Sequence, residues 1–347
     1  MVRVGIVGVT GYTGMELVRL LGAHPGAKVT YASSLTSIGR KLDEVIRNPE
    51  VESETVVEKF DAVRAWEMAE FFFLCLPHGA SMETAGVLFD KGARIVDLSA
   101  DFRLPDPAHY EEWYGEHKRI SLLSEAVYGM PEIYGERLHE ARLVANPGCY
   151  PTSIILGLAP LLKAGCIETE GIIADSKSGV SGAGREPKAD LHFPEVAGNF
   201  SAYSLAGAHR HTGEIEQELG ALAGSPVRVT FSPHLLPLTR GILSTIYARP
   251  VMALDNEAVF RIYRDACGTK PFLRVHGPEE RLPSLKDVNG TNLCAIAPRI
   301  DQRTGAVVIV SCIDNLIKGA AGQAVQNMNL MTGQEETTGL IYAPVYP

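Results

Sequence analysis

The sequence contains no run of 18 apolar residues, so no segment is expected to cross a bilayer as a helix. Its six cysteines (Cys75, Cys149, Cys166, Cys267, Cys294 and Cys312) are widely spaced, and none forms a CxxC pair. That pattern argues against a disulfide framework or a structural zinc site and leaves buried free thiols as the ordinary expectation. Positive charge is in deficit: 32 Lys and Arg face 41 Asp and Glu, for a net charge of −9. A dedicated DNA- or RNA-binding surface is not expected on such a chain, although a local basic pocket is compatible with it. Internal repeats and low-complexity linkers are also missing. The first residues, Met1–Gly8, run into a Gly-rich turn after seven residues and offer no small-residue cleavage site. This predicts a cytoplasmic protein with no membrane partner.

What is present is a globular composition. The 347 residues are 46% apolar and 21% charged, enough for two domains. Glycine, at 34 residues, is plentiful.

The first half alternates two hydrophobic periods. Strand candidates are 2–7, 29–32, 71–76 (FFFLCL), 93–98 and 141–145. Helix candidates at 15–21 and 81–89 lie between them, which predicts a mainly parallel, doubly wound sheet. After about residue 150 the texture changes. A helix over 154–164 is followed by strands at 172–175, 227–231, 242–248, 293–297 and 307–313, several of them alternating. Alternation predicts half-exposed antiparallel strands in an α+β second domain. A last helix, rich in Ala and Gly, is expected over 316–330.

Gly8-Val9-Thr10-Gly11-Tyr12-Thr13-Gly14 follows the first strand and opens the first helix. This G-x-x-G-x-x-G variant of the dinucleotide fingerprint lets backbone approach a pyrophosphate at a helix N-terminus. The second strand ends in Ser33-Ser34, followed by Arg40-Lys41, where an acid would select NAD. Hydroxyls and cations suit a 2′-phosphate instead, so the expected cofactor is NADP(H).

Cys149 stands in Asn146-Pro147-Gly148-Cys149-Tyr150-Pro151-Thr152, between a strand and a helix. A helix N-terminus favours the thiolate, which makes Cys149 the candidate nucleophile. Cys75, Cys294 and Cys312 lie within apolar strands and read as structural. His209-Arg210-His211 precedes a helix for which Thr212 is the expected N-cap. Both histidines would then sit just ahead of that helix, a position that keeps imidazole neutral. A metal-ligand reading of the H-x-H pair is weaker, because no matching ligand cluster stands out. Ser178-Gly179-Val180-Ser181-Gly182-Ala183-Gly184-Arg185, with Lys188, has the composition of an anion-binding nest.

Together these motifs resemble the N-acetyl-gamma-glutamyl-phosphate reductase family. GVTGYTG at 8–14, LPHG at 76–79, DLSADFR at 97–103, NPGCYPT at 146–152, SGVSGAGR at 178–185 and HRHTGEIEQEL at 209–219 carry the resemblance across nearly the whole chain. One departure is Gly213, where the family usually has proline. The resemblance implies an α/β Rossmann-type nucleotide-binding domain plus an α+β domain with a mainly antiparallel sheet. It implies NADP-binding residues 1–148 plus 313–347, and a catalytic, substrate and dimerisation domain over 149–312. It implies a homodimer or homotetramer acting on a small-molecule acyl phosphate, with inorganic phosphate released. The implied site is Cys149 with His209 or His211 handling the proton. Gly8, Thr10, Gly11, Tyr12, Thr13, Gly14, Ser33, Ser34, Arg40, Ser178, Gly179, Gly182, Asn315, Lys318 and Gly319 would bind the cofactor. Arg103, Asn146, Arg185, Lys188 and Glu214 would bind the substrate.

The implied reaction is thiolate attack on the acyl phosphate, loss of phosphate, reduction of the thioester and release of N-acetyl-glutamate semialdehyde. Two rivals share this chemistry on N-acetyl-aminoadipyl phosphate or aspartyl phosphate; one methylene gives only about 1–3 kcal/mol of discrimination. A rival of another class is a non-catalytic NADP(H)-binding regulator, which would need the glycine loop but no activated thiol.

Overall fold

The protein is described by a computed structural model covering residues 1–46 and 53–345. The described residues pack as two units: those of Met1–Gly148 with Ala320–Ile341, and Cys149–Gly319 with 342–345. The segment 313–319 therefore packs with the second unit, and Ala320 begins the return to the first.

In the first unit, seven strands form one sheet: β1 (Val2–Val7), β2 (Ala27–Ser33), β3 (Val57–Glu58), β4 (Phe71–Leu74), β5 (Arg94–Asp97), β6 (Ala126–Tyr128) and β7 (Leu143–Ala145). Their order is β3-β2-β1-β4-β5-β7-β6, and the pairings are parallel. The sheet runs one way from β1 to β2 and the other way from β1 to β4. This is the switch point at which doubly wound sheets open a ligand crevice. Phe71, Phe72 and Phe73 of β4 are at most 1% exposed, which is why this strand is apolar on both faces. Each such ring stabilises the fold by about 1.5–3 kcal/mol through area removed from water. The returning helix Gly322–Met331 is buried along its whole length. Asn327 on it donates to the carbonyl of Gly129 at 2.9 Å and to Oδ1 of Asn146 at 3.0 Å.

The second unit holds a second seven-stranded sheet: β8 (Ile172–Gly179), β9 (Ser201–Ala202), β10 (Val229–Leu236), β11 (Ile242–Ala248), β12 (Leu273–Val275), β13 (Cys294–Ile300) and β14 (Val307–Ile313). The order is β12-β13-β14-β11-β8-β10-β9. Four pairings are antiparallel, and β10–β8 and β12–β13 are parallel. Alternation matches burial: Val229 and Phe231 are buried while Thr230 between them is exposed. The helices Cys149–Lys163 and Asn256–Cys267 supply buried apolar faces to this unit.

Two expectations are corrected in detail. The single helix over 316–330 is instead a π-helical turn, Ile317–Ala321, leading into Gly322–Met331. Asp314 causes the irregular start: its carboxylate accepts the N–H groups of Leu316 and Ile317, and its carbonyl accepts that of Gly319 at 2.9 Å. The helix expected to be capped by Thr212 begins two residues earlier than that cap implies, at His211. Among the described residues, no helix is long and apolar enough to cross a membrane.

Candidate active site

In the first unit, the glycine loop joins β1 to the helix Tyr12–Gly22. Gly8 has φ +89°, and a Cβ there would lie 2.3 Å from the carbonyl oxygen of Cys75. A Cβ on Gly14 would lie 2.6 Å from the Gly8 carbonyl oxygen and 2.7 Å from Cα of Val9. The fold itself therefore demands these two glycines. Gly11 is different: the nearest atom to a Cβ there is the Gly8 oxygen at 3.5 Å. The missing side chain at Gly11 leaves a clear approach to the backbone at the helix start, the room a pyrophosphate needs. That helix has no side-chain cap and no acid in its first turn, so an anion meets no competing carboxylate.

Beside the loop, Thr10 and Ser34 share a hydrogen bond of 2.6 Å, and the Thr36 hydroxyl lies 3.3 Å from each. Thr36 completes a hydroxyl cluster of which only Thr10 and Ser34 were expected. Tyr12 is exposed, Thr13 is half-buried, and Ser33 is buried with its carbonyl accepting the N–H groups of Gly8 and Val9. Arg40 is exposed and lies 3.7 Å from Glu44; Lys41 pairs with Glu54 at 2.8 Å. These residues fit a dinucleotide with a charged ribose end.

At the carboxyl ends of β4, β5 and β7, DLSADFR has a structural task that spacing alone did not reveal. Asp101 accepts the N–H groups of Gly79 at 2.7 Å and Ser81 at 3.0 Å, capping the helix Ser81–Asp90 from outside. Ser99 donates to Asp97 and accepts the N–H of Asp101. Arg103, 5% exposed, donates to the carbonyls of Asn146 at 2.8 Å and Leu98 at 3.0 Å. The Asn146 side chain donates to the carbonyl of Ala320. Arg103 and Asn146 thus brace the strand end that leads into Gly148-Cys149. Burial, followed by the neighbouring Asp101, pushes the Asp97 carboxyl up to about 6.

In the second unit, Cys149 is the first residue of a 15-residue helix. Cys75 and Cys149 are the two cysteines that are not fully buried. Burial pushes the Cys75 thiol up to about 12, so at neutral pH it stays protonated. Gly319 lies over Cys149: a Cβ on it would sit 2.7 Å from Cβ of Cys149. Tyr150 fills the space behind, its ring 5.7 Å from that of His209 and 5.1 Å from that of Phe231. Tyr203, which the motifs did not flag, donates its hydroxyl to that of Tyr150 at 3.0 Å. Burial raises both phenols, and the nearby Cys149 sulfur raises them further.

His209 is boxed by aromatic rings: Tyr150, Tyr203 at 5.6 Å, Phe231 at 5.2 Å and His211 at 4.8 Å. Its Nδ1 accepts the backbone N–H of His211 at 3.1 Å, and its carbonyl accepts that of Thr212 at 2.9 Å. His209, rather than Thr212, thus satisfies the open donors of the helix start. Burial, with a smaller contribution from Arg210, pulls the His209 imidazole down to about 4. The ring is neutral at pH 7, and with Nδ1 occupied as an acceptor its proton sits on Nε2. His211 is the first helical residue, and Glu214, 1% exposed, lies in the same first turn.

Part of the expected anion nest spends its donors inside the protein. The N–H groups of Gly179, Val180 and Ser181 donate to the carbonyls of Gly241, Leu238 and Thr239 at 2.9, 2.8 and 3.1 Å. A partner loop, invisible to local composition, takes up these donors. Ser178 is buried, and a Cβ on Gly182 would lie 3.1 Å from its hydroxyl. Asn315 locks the two loops, accepting from Gly241 at 2.6 Å and donating to the Ser181 hydroxyl at 3.0 Å. On the same loop Arg240 pairs with the fully buried Asp314 at 3.3 Å. Lys318 is fully buried, with its Nζ 5.7 Å from the Phe272 ring centre. Arg185 and Lys188 lie on an exposed stretch beyond β8.

Two family models match the chain: the NAD-binding domain of semialdehyde dehydrogenases over residues 3–141, and the semialdehyde dehydrogenase dimerisation domain over 149–315. An N-acetyl-gamma-glutamyl-phosphate reductase from Geotalea daltonii is 51% identical over 347 residues, covering all of both chains. One from Symbiobacterium thermophilum is 51% identical over 348 residues, covering 100% of this chain and 99% of the other. Among solved structures, aspartate semialdehyde dehydrogenase II from Vibrio cholerae, complexed with ASA, superposes with a TM-score of 0.72 at 17% identity, covering 96% of this chain and 98% of the other. An aspartate semialdehyde dehydrogenase with NADP from Candida albicans gives 0.66 at 16% identity, covering 96% and 98%; both share the fold. By full-length similarity and by these domain matches, the chain belongs to the N-acetyl-gamma-glutamyl-phosphate reductase family of semialdehyde-dehydrogenase-type oxidoreductases.

Proposed function

We propose that the protein reduces N-acetyl-glutamyl 5-phosphate to N-acetyl-glutamate 5-semialdehyde, with release of phosphate, in arginine biosynthesis. The observation that carries this reading is Cys149, the first residue of a long buried helix in the same unit as the neutral, aromatic-boxed His209.

The helix start stabilises the thiolate of Cys149, which attacks the acyl carbonyl and expels phosphate to leave a thioester. The glycine loop, the Thr10–Ser34–Thr36 hydroxyls and Arg40 would hold NADPH, which would supply the hydride. His209 cannot take the thiol proton at Nε2, because that nitrogen already carries one. It acts instead as a neutral donor: its Nε2–H stabilises the oxyanion at the former carbonyl oxygen, and thiolate departure then yields the aldehyde. His211 sets this tautomer through its backbone. Glu214, Arg185 and Lys188 are the groups proposed to orient the substrate. Arg103 and Asn146 support the strand end before Cys149, and Asn315, Lys318 and Gly319 hold the segment that covers it.

The outer face of the second sheet supports a homodimer. Ile173 and Tyr247, neighbours in register, are 41% and 40% exposed, and Val308 lies beside Tyr247 on the next strand.

The test is phosphate-dependent NADP reduction, comparing N-acetyl-glutamate semialdehyde, its one-carbon-longer homologue and aspartate semialdehyde. The N-acetyl-glutamate compound should give the highest kcat/KM, and a preference for either other aldehyde overturns the substrate assignment.

A further inference from the structure

Beneath the Cys149 helix, the second sheet has an unusual row. Ser176 on β8, Ser244 on β11 and Ser311 on β14 lie at one level, with Ser244 in register with both others. On one side their neighbours on the same face are aliphatic: Ala174, Ile246 and Ile309 are fully buried. All three serines are 0% exposed, as is Ser153 on the helix above.

The hydroxyls form one connected set. Ser153 Oγ donates to Ser244 Oγ at 2.9 Å, and Ser244 and Ser176 share a bond of 2.7 Å. Ser311 Oγ donates to the backbone carbonyl of Ser153 at 2.8 Å, and Cys294 Sγ lies 3.5 Å from that same Oγ. One turn further on, Tyr263 donates its hydroxyl to the carbonyl of Gly157. Gly157 itself is pressed onto the sheet, since a Cβ there would come within 2.9 Å of Ile246 Cδ1.

Cys149, Ser153 and Gly157 are spaced i, i+4 and i+8, so they share one stripe of the helix. That stripe is covered by Gly319 at Cys149, tied by hydroxyls at Ser153 and in close contact at Gly157. Apolar packing alone fixes a helix poorly against sliding and rotation, because methyl groups have no preferred partner. Directional bonds in a dry core remove that freedom, and breaking one leaves its partners unsatisfied.

We propose that Ser153, Ser176, Ser244 and Ser311 are positioning residues that set the height and rotation of the Cys149 helix and so the placement of the sulfur. This rests on Cys149 being the nucleophile. The variants are Ser244→Ala, which breaks the row at its centre, and Ser153→Ala, which puts the best helix former on the helix side and so keeps that element folded. Each is assayed for kcat and KM, for the rate of iodoacetamide modification of Cys149 against pH, and for Tm, beside Cys149→Ser.

A displaced sulfur should lower kcat roughly 10- to 100-fold with KM within about twofold, and should slow Cys149 alkylation or move its pH midpoint. Lowered Tm in both variants, with wild-type kcat and alkylation, would reduce the row to core filling and overturn the proposal. If Ser244→Ala does not fold, Ser153→Ala decides between these results. The underlying reading fails separately: near-normal turnover in Cys149→Ser removes the nucleophile, whatever the serine variants do.

Discussion

The backbone N–H of His211 donates to Nδ1 of His209 at 3.1 Å, and this bond assigns the proton of the neutral ring to Nε2. A histidine so arranged can give a hydrogen bond to an oxyanion but cannot accept a proton from a thiol at that nitrogen. His209→Ala should therefore lower kcat by about 10²–10³-fold, the usual cost of losing one oxyanion donor. His209→Gln, which keeps an N–H at similar reach, should recover at least about tenfold of that loss. Equal rates in the two variants would mean that the ring is needed as a base.

The same ring sets a pH expectation. Its folded pKa, about 4, lies below the ordinary 6.5, so between these values the unfolded chain binds the proton and the folded one does not. Stability is thus lost as pH falls from 6.5 towards 4, and catalysis should show no acidic limb near pH 6.5 from this group. An NMR titration placing the His209 midpoint above 6 would contradict both statements.

Asp97 carries the opposite sign. Its folded pKa, about 6, stands above the ordinary 3.8 because the carboxyl is buried beside Asp101. The folded state then binds more protons between pH 4 and 6, and stability falls as pH rises through that window. Asp97→Asn should remove this dependence, gaining at most about 3 kcal/mol at pH 8 and little at pH 4. Chemical denaturation of both proteins at the two pH values checks it; a variant equally destabilised at both would show that the ionised carboxylate is needed.

Gly319→Ala would place a Cβ 2.7 Å from that of Cys149 and 3.3 Å from Ile313 Cδ1. Overpacking of this kind costs about 1–3 kcal/mol. The displaced neighbour is the proposed nucleophile, so kcat should fall more than NADP binding weakens. Fluorescence titration of NADPH beside steady-state kinetics separates the two effects.

Two glycines of one loop should behave differently. Gly14→Ala pushes a Cβ to 2.6 Å from the Gly8 carbonyl oxygen and should lower Tm. Gly11→Ala meets the nearest atom of the protein at 3.5 Å and should leave Tm nearly unchanged while raising the KM for NADP. Similar KM values for Gly11→Ala and the parent would remove the pyrophosphate from this position.

Much of the fold was legible locally. The strands Val2–Val7, Ile242–Ala248 and Val307–Ile313 have the expected bounds, because each carries its own pattern of apolar residues. The strands Val57–Glu58, Ala126–Tyr128, Ser201–Ala202 and Leu273–Val275 were not expected. They are two or three residues long and owe their state to the neighbouring strand's hydrogen bonds rather than to a period of their own.

The glycine loop, the cysteine at a strand-to-helix turn and the histidine pair before a helix are written in consecutive residues, and the sequence by itself determined them. Tertiary structure decided where the remaining polar groups spend their bonds. The N–H groups of 179–181 go to Leu238, Thr239 and Gly241, Arg103 goes to the carbonyls of Asn146 and Leu98, and Asp101 goes to a helix start some 20 residues earlier. A composition rich in glycine, serine and arginine fits an open anion site and a closed internal lock equally well. The difference lies in whether another segment brings carbonyl or amide groups within about 3 Å, and only the folded chain supplies those partners.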